Sequence, residues 1–225
     1  MPSAHPERPT LAFIGGTGPE GRGLAYRFAL AGYPVVVGSR QSERAQAAAR
    51  EIREKAGGEA TGAENGEAAR EGRIVILTVP YAGIMPAAEA IREAVAGKIV
   101  VSAIAPIEWV DGRPVVRRPD AGSAAEEVRN ALGPEAVVVS AFQSLDSHQL
   151  LTDGVTPDTD VLVCSDHKEA RDEVIALAAA IPGIRAYSAG RLASSRYVEE
   201  CTALLITLNR IYRTHTGFQI TGLRR

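Results

Sequence analysis

The 225-residue chain is poor in thiols and in lysine, with only Cys164, Cys201, Lys55, Lys98 and Lys168. Two cysteines make no disulfide framework and suit a reducing, cytoplasmic setting. Long apolar runs are missing too: none approaches the roughly 20 residues a membrane span requires. The opening residues 1–10 are polar and proline-bearing, with no apolar signal segment, and read as a short loose tail. Charge of one sign is also lacking. Lys+Arg number 25 and Asp+Glu 27, for a net −2, so no basic field invites nucleic acid or an acidic membrane.

Several catalytic signatures are absent as well. There is no H-E-x-x-H, no cysteine pair at zinc spacing and no G-x-S-x-G, so metal or serine hydrolysis has no support and no metal is expected. The Y-x-x-x-K pair of carbonyl reduction is missing, and no lysine stands where its general acid belongs. Of the four histidines, His5 lies in the tail, His167 opens a helix beside Asp166, and His215 lies near the C-terminal end. His148 follows the last strand of the main sheet, either beside a site or as an ordinary loop histidine. No catalytic acid, base or nucleophile is assigned.

What is present begins at Leu11-Ala12-Phe13-Ile14, an apolar run that stops at Gly15-Gly16-Thr17-Gly18-Pro19-Glu20-Gly21 and leads into a helical pattern. Gly16, Gly18 and Gly21 fit G-x-G-x-x-G in its strand–turn–helix setting. One glycine permits the tight turn, one lets backbone approach a pyrophosphate, and one lets helix and strand pack closely. The helix start offers unpaired N–H groups and a positive dipole end to phosphates. A ligand-free glycine turn is the plainer alternative.

Residues 34–38 are a second strand, whose tip is where a dinucleotide's adenosine ribose lies. An NAD-selective chain places Asp or Glu there; this one has Ser39-Arg40, with Arg44 one helical turn on. Guanidinium groups pair with a 2′-phosphate through charge-assisted bonds, which favours NADP(H). The alternative is that Arg40 and Arg44 begin a solvated helix over residues 42–55.

Residues 57–66 read as a glycine-rich crossover to a helix at Asn65–Glu71. Residues 73–78 form a strand ended by Val79-Pro80-Tyr81, with a helix over 82–95 whose first turn carries Met85 at the same edge. Tyr81 either covers a nicotinamide or packs in the loop. Residues 98–103 form the next strand, residues 109–116 a hairpin turning at Asp111-Gly112, and Ser123-Ala124-Ala125-Glu126 a capping box opening a helix to Leu132. Residues 135–141 complete a six-stranded sheet. The expected fold is α/β: a Rossmann-type doubly wound parallel sheet over residues 11–150, followed by a small C-terminal α/β domain over 151–225. In the latter, strands at 160–164 and 184–187 alternate with helices at 167–180 and 194–213. The last helix carries an apolar stripe at Tyr197, Cys201, Leu204, Leu208 and Ile211, read first as packing onto the chain and second as a dimer seam. The closing apolar segment, residues 217–223, is expected to fold back over the site.

From Leu11 to Leu223 the chain resembles the NADPH-dependent coenzyme F420 reductases (F420H2:NADP oxidoreductases). The resemblance rests on Gly15-Gly16-Thr17-Gly18, Val36-Val37-Gly38-Ser39-Arg40, Leu77-Thr78-Val79-Pro80, Ile99-Val100-Val101-Ser102, Ser123-Ala124-Ala125-Glu126 and Leu192-Ala193-Ser194-Ser195-Arg196-Tyr197-Val198-Glu199. It implies hydride transfer between NADP(H) and a deazaflavin, coenzyme F420, without a covalent intermediate, and a homodimer is an open reading. It also implies that Gly16, Thr17, Gly18, Pro19 and Glu20 wrap the pyrophosphate, and that Ser39, Arg40 and Arg44 hold the 2′-phosphate. Val79, Tyr81 and Met85 would flank the nicotinamide. Ala105 and residues 142–147, Ser147 included, would wall the place where the rings meet. Tyr81, Ala103 and Gln143 depart from the archaeal pattern of Trp, Pro and His, all on the deazaflavin side. Glu20 is a first-turn charge suited to the helix dipole, yet awkward beside phosphates. Two other functions fit the same nucleotide site: NADPH-dependent reduction of a small imine or carbonyl, and non-catalytic NADPH sensing.

Overall fold

The computed structural model describes residues 8–223; most of the expected tail, residues 1–7, lies outside them. The first described residue, Arg8, sets its guanidinium 4.8 Å from the centre of the Tyr33 ring.

The chain alternates strand and helix: β1 (Leu11–Ile14), α1 (Pro19–Leu30), β2 (Val35–Ser39), α2 (Ser42–Ala56), β3 (Ala60–Glu64), α3 (Asn65–Glu71) and β4 (Ile74–Leu77). After a 3-10 turn at Tyr81–Gly83 come α4 (Ile84–Ile91), β5 (Ile99–Ser102), the hairpin β6 (Ile107–Val110) and β7 (Arg113–Val116), α5 (Ala124–Leu132) and β8 (Val137–Ser140). The parallel sheet runs β3-β2-β1-β4-β5-β8, so the winding reverses between β1 and β4 and opens a crevice at their carboxyl ends. Both faces are covered, which is why β1, β2 and β4 read as unbroken apolar runs. Phe13 and Phe28 pack in one buried cluster, Ala12, Ile14 and Ile84 in the other.

One element departs from the sequence reading. Residues 57–66 are more than a crossover, because Ala60–Glu64 pairs in parallel with β2 as an edge strand. Its Ala-Thr-Gly-Ala-Glu composition carries no strand signal because α2 crosses too closely for larger side chains. A Cβ on Gly62 would lie 2.3 Å from the Ala45 carbonyl carbon.

Beyond β8 lie α6 (Ser147–Leu151), β9 (Thr159–Val163), α7 (Lys168–Ala179), β10 (Ile184–Ser188) and α8 (Ser195–Tyr212). The β9–β10 pair is parallel and joins the main sheet through an antiparallel bridge between Ser140 and Cys164, with N–O distances of 2.8 and 3.0 Å. Val161, Val163, Val174, Leu177 and Ile181 share the buried cluster of Phe13 and Phe28. Helix α6 is held from α1. Buried Arg27 donates to the carbonyls of Gln149, Leu150 and Thr152 at 2.5–2.9 Å.

The apolar stripe of α8 packs onto the chain only in part, with Cys201 and Leu208 half-buried. Tyr197, Leu204 and Ile211 are 67%, 55% and 64% exposed, while Val198, Glu199, Ala203 and Leu205 are buried. Glu199 turns inward because the start of α5 binds its carboxylate (Ala124 N–H at 2.8 Å, Ala125 N–H at 3.1 Å), and this leaves the rest of the stripe facing away. The segment after α8 folds back along β9, where Phe218 exchanges hydrogen bonds with Asp160 and Thr159.

Candidate nucleotide site at the sheet crevice

The glycine turn is built from contacts that leave no room for side chains. The Gly16 N–H reaches the Phe13 carbonyl at 3.1 Å and the Gly38 carbonyl at 3.0 Å, which ties the β1 turn to the tip of β2. A Cβ on Gly21 would stand 2.5 Å from Thr78 Oγ1 and 2.6 Å from Gly16 Cα, so α1 rests directly on the turn and on the end of β4. Gly18 differs. A Cβ there would meet nothing closer than the Gly15 carbonyl at 3.7 Å, so the fold does not itself demand a glycine at this position. Open space at Gly18 is what approach by a pyrophosphate needs.

Gly18 is the N-cap of α1, Pro19 takes the first helical position, and no side chain caps the helix. Its first-turn N–H groups therefore remain for a ligand. Half-buried Thr17 sits in the turn between them. Glu20, two residues into the exposed start, has one carboxylate oxygen buried without a partner. Burial pushes its pKa up to about 8, so at neutral pH it is an uncharged acid. Glu20 does stand in the first turn of α1, as the sequence reading has it.

At the tip of β2, Ser39 is buried and its Oγ accepts the Gln41 N–H at 3.2 Å. Arg40 and Arg44 are exposed, and neither guanidinium is paired with any described residue. Two unpaired cations at the ribose end suit a 2′-phosphate, and no carboxylate stands at the tip to accept from a 2′-hydroxyl.

The remaining expected residues spread out. Val79 packs against the Gly15 turn at the end of β4. Tyr81 is half-buried against the cluster of Ile14 and Ile84, and burial with the neighbouring Glu127 carboxylate pushes its hydroxyl up to about 12. Met85 is 62% exposed and lines a groove with Arg70, Pro86 and Glu89 between α3 and α4. Ala105 follows β5, and Ser147 starts α6. His148 lies on α6 against His215.

Asn65 went unread in the sequence, whereas Phe142 and Gln143 fall in the segment 142–147 expected to wall the site. Asn65, buried at the start of α3, accepts the Gly15 N–H through Oδ1 at 3.4 Å and braces the turn. Phe142, fully buried just after β8, holds φ at +75°, a left-handed conformation rare for a bulky residue and enriched at functional sites. Beyond it, buried Gln143 donates to Ser140 Oγ at 2.8 Å while its Oε1, like the hydroxyl of buried Ser102, has no partner among the described residues. Nothing in the local sequence marks Phe142 for that conformation; Asn65 carried a signal only as a polar residue opening a helix.

The family described as NADP oxidoreductase, coenzyme F420-dependent, matches residues 10–106. Across 222 residues the chain is 43% identical to the F420-dependent NADP reductase of Methanocaldococcus jannaschii, covering 95% of this chain and 98% of that one. Across 220 residues it is 40% identical to the F420-dependent NADP reductase of Methanothermobacter marburgensis, with the same coverage. A crystal structure from Arthrobacter sp. FB24, provisionally assigned there as an F420-dependent NADP reductase, superposes with a TM-score of 0.80 over 94% of this chain and 98% of that one. At 24% identity it speaks for the fold alone. NADP-bound pyrroline carboxylate reductase of Plasmodium falciparum shares the architecture more loosely, with a TM-score of 0.59 and 14% identity over 90% of this chain and 66% of that one. The glycine turn, the Ser39-Arg40 tip and full-length identity of 40% or more converge on one assignment: the chain belongs to the F420-dependent NADP reductase family.

Proposed function

We propose that the protein transfers a hydride between NADP(H) and coenzyme F420. The observation that carries the reading is the pair of unpaired guanidiniums, Arg40 and Arg44, beside a glycine turn whose Gly18 faces open space. Thr17, Gly18, Pro19 and the first-turn amides of α1 bind the pyrophosphate, with neutral Glu20 alongside. Ser39, Arg40 and Arg44 hold the 2′-phosphate. Val79 and the half-buried Tyr81 bound the nicotinamide side at the end of β4, Met85 follows one turn later, and Ala105, Gln143 and Ser147 wall the opposite side. The two bound rings supply the redox chemistry: dihydronicotinamide gives a hydride, and the deazaflavin takes it up with a proton. The residues of the chain orient those rings, and hydride transfer needs reacting carbons about 3–3.5 Å apart. The buried unpartnered atoms of Ser102 and Gln143 offer hydrogen bonds at the strand ends where ring amides and carbonyls would lie.

The same reading places the enzyme in the cytoplasm, where the free thiols Cys164 and Cys201 stay reduced. Among the described residues no helix is long and apolar enough to cross a membrane. It also makes the enzyme a homodimer, with the exposed stripe of Tyr197, Leu204 and Ile211 as the seam. Sedimentation of a Leu204→Lys variant as the same species as wild type would remove that seam.

The direct test is anaerobic mixing of the protein with NADPH and oxidised F420, following the visible absorbance of the deazaflavin. Bleaching matched by NADPH loss is the expected result. NADPH binding without bleaching would overturn the reaction and leave small-substrate reduction or sensing.

A further inference from the structure

A second constellation forms where α6 meets the segment leaving α8, its members Asp146 and His148 flanking Ser147. Asp146 is the N-cap of α6 and accepts the Gln149 N–H through Oδ1 at 3.0 Å. His148 stands in the first turn of the same helix. Arg213 ends α8 in a left-handed turn, φ +52°, and the chain then brings His215 over His148. The two imidazoles stack face to face, 4.2 Å between centroids and 6° from parallel. His215 Nδ1 lies 3.1 Å from Asp146 Oδ2. One donor atom from each of the three residues falls within 4.8 Å of the other two.

We propose that Asp146, His148 and His215 form a binding site for one divalent late first-row transition metal of the Zn²⁺, Co²⁺ or Ni²⁺ kind. The spacing suits it. Two ligands each about 2.1 Å from a metal and at right angles lie about 3.0 Å apart, which is the Asp146–His215 separation already in place. A shared ion must lie in the plane of each ring, so the His148 ring turns out of the stack about its side-chain torsions to bring a nitrogen to the ion that Asp146 and His215 hold. An Asp–His pair accounts for His215 and leaves His148 with only its stack on His215 and a 3.5 Å approach of Nδ1 to Thr152 Oγ1, whereas a three-donor site uses both imidazoles. Two imidazoles and one carboxylate, with no thiolate, favour these metals over Mg²⁺ or Ca²⁺, which take oxygen shells, and over Cu(I), which takes sulfur.

The surroundings are built to hold the donors. Asn209 donates to Asp146 Oδ2 at 3.2 Å and accepts the Thr216 N–H through Oδ1 at 2.6 Å, so one α8 residue positions both sides. Gln149 Nε2 donates to the His215 carbonyl at 2.9 Å, which clips the returning segment to α6. Such outer contacts orient the ligands of metal sites. All three donors line a cavity of about 470 Å³ shared with the hydroxyl-bearing Thr156, Thr159 and Thr216. Coordination positions not filled by protein therefore open into a cavity, lined by both hydroxyl and apolar side chains, that admits water or an oxygen-donor ligand. The site does not depend on the hydride-transfer reading, and its test measures metal directly.

The experiment titrates the chelator-treated, full-length protein with Co²⁺, following the visible d–d band and the heat of binding. One Co²⁺ per chain, displaced by Zn²⁺, is expected. His148→Gln and His215→Gln should each weaken binding at least tenfold, and Asp146→Asn should also weaken it. His167→Gln should bind as wild type, and NADPH binding by every variant shows that each is folded. Absence of a saturable band, or equal Co²⁺ affinity in the His148→Gln/His215→Gln double variant, would overturn the site.

Discussion

The carboxylate of Glu199 on α8 accepts the N–H of Ala124 at 2.8 Å and so caps α5 from a helix 75 residues away in sequence. Burial pushes this carboxyl from an ordinary 4.5 up to about 7, against the opposing pull of the Ala124 and Ala125 amides. A folded pKa above the unfolded one means the native state holds more protons between those two values. Stability should therefore fall as pH rises from about 4.5 to 7, by about 3 kcal/mol if Glu199 acts alone. Urea unfolding of Glu199→Gln across that range should give a flatter profile than wild type; an unchanged slope would remove Glu199 as its source.

Glu20 makes a prediction about binding. The carboxyl is neutral below about 8, and ionisation above that value sets a negative charge beside the helix start. NADP affinity should fall as pH rises through about 8, and Glu20→Gln should abolish that dependence. Titration by intrinsic fluorescence or calorimetry at several pH values measures it.

Arg40→Ala combined with Arg44→Ala should weaken NADP binding by about 2–4 kcal/mol through lost charge-assisted bonds, with NAD binding nearly unchanged. Equal losses for both dinucleotides would refute the 2′-phosphate role.

Two glycines separated by one turn of α1 should behave differently. Gly18→Ala should leave stability within about 0.5 kcal/mol of wild type and impair NADP binding, because the methyl enters open space. Gly21→Ala should cost about 1–3 kcal/mol by overpacking, because Thr78 and Gly16 already occupy that space. Thermal melts and binding titrations on both variants separate the cases.

Arg27→Ala should cost about 2–4 kcal/mol, because three carbonyls around the end of α6 lose a charged donor. Thermal unfolding checks it, and hydrogen exchange should show α6 opening first.

Legibility in the sequence followed the physics of each element. The crevice strands could be read because burial on both faces demands unbroken apolar runs, as in Ile74-Val75-Ile76-Leu77. The hairpin could be read from Asp111-Gly112, both of which adopt positive φ. Edge strand β3 was hidden because its small residues answer to the close passage of α2. The α8 stripe was only partly resolved, because helical periodicity finds a face without fixing how far it turns inward; Cys201 and Leu208 are half-buried, while Tyr197, Leu204 and Ile211 face out. In the site, the motif residues of the turn and the segment 142–147 were visible, while the Asn65 brace on Gly15 and the left-handed Phe142 depend on tertiary placement that no local pattern records.

The Ser140–Cys164 bridge has a consequence for the sheet as a whole. β8 is the last strand, and its outer backbone groups would otherwise offer a template to a strand from another molecule. Cys164 takes both the N–H and the carbonyl of Ser140, and Ser165 Oγ donates to the Val138 carbonyl at 2.8 Å. With that margin closed, among the described residues the main sheet ends openly at β3, a short run of small residues finishing in Glu64. Such an edge gives little purchase to an incoming strand. The C-terminal segment thus acts as a selvedge, finishing the sheet against unravelling into intermolecular pairing while the nucleotide crevice stays open.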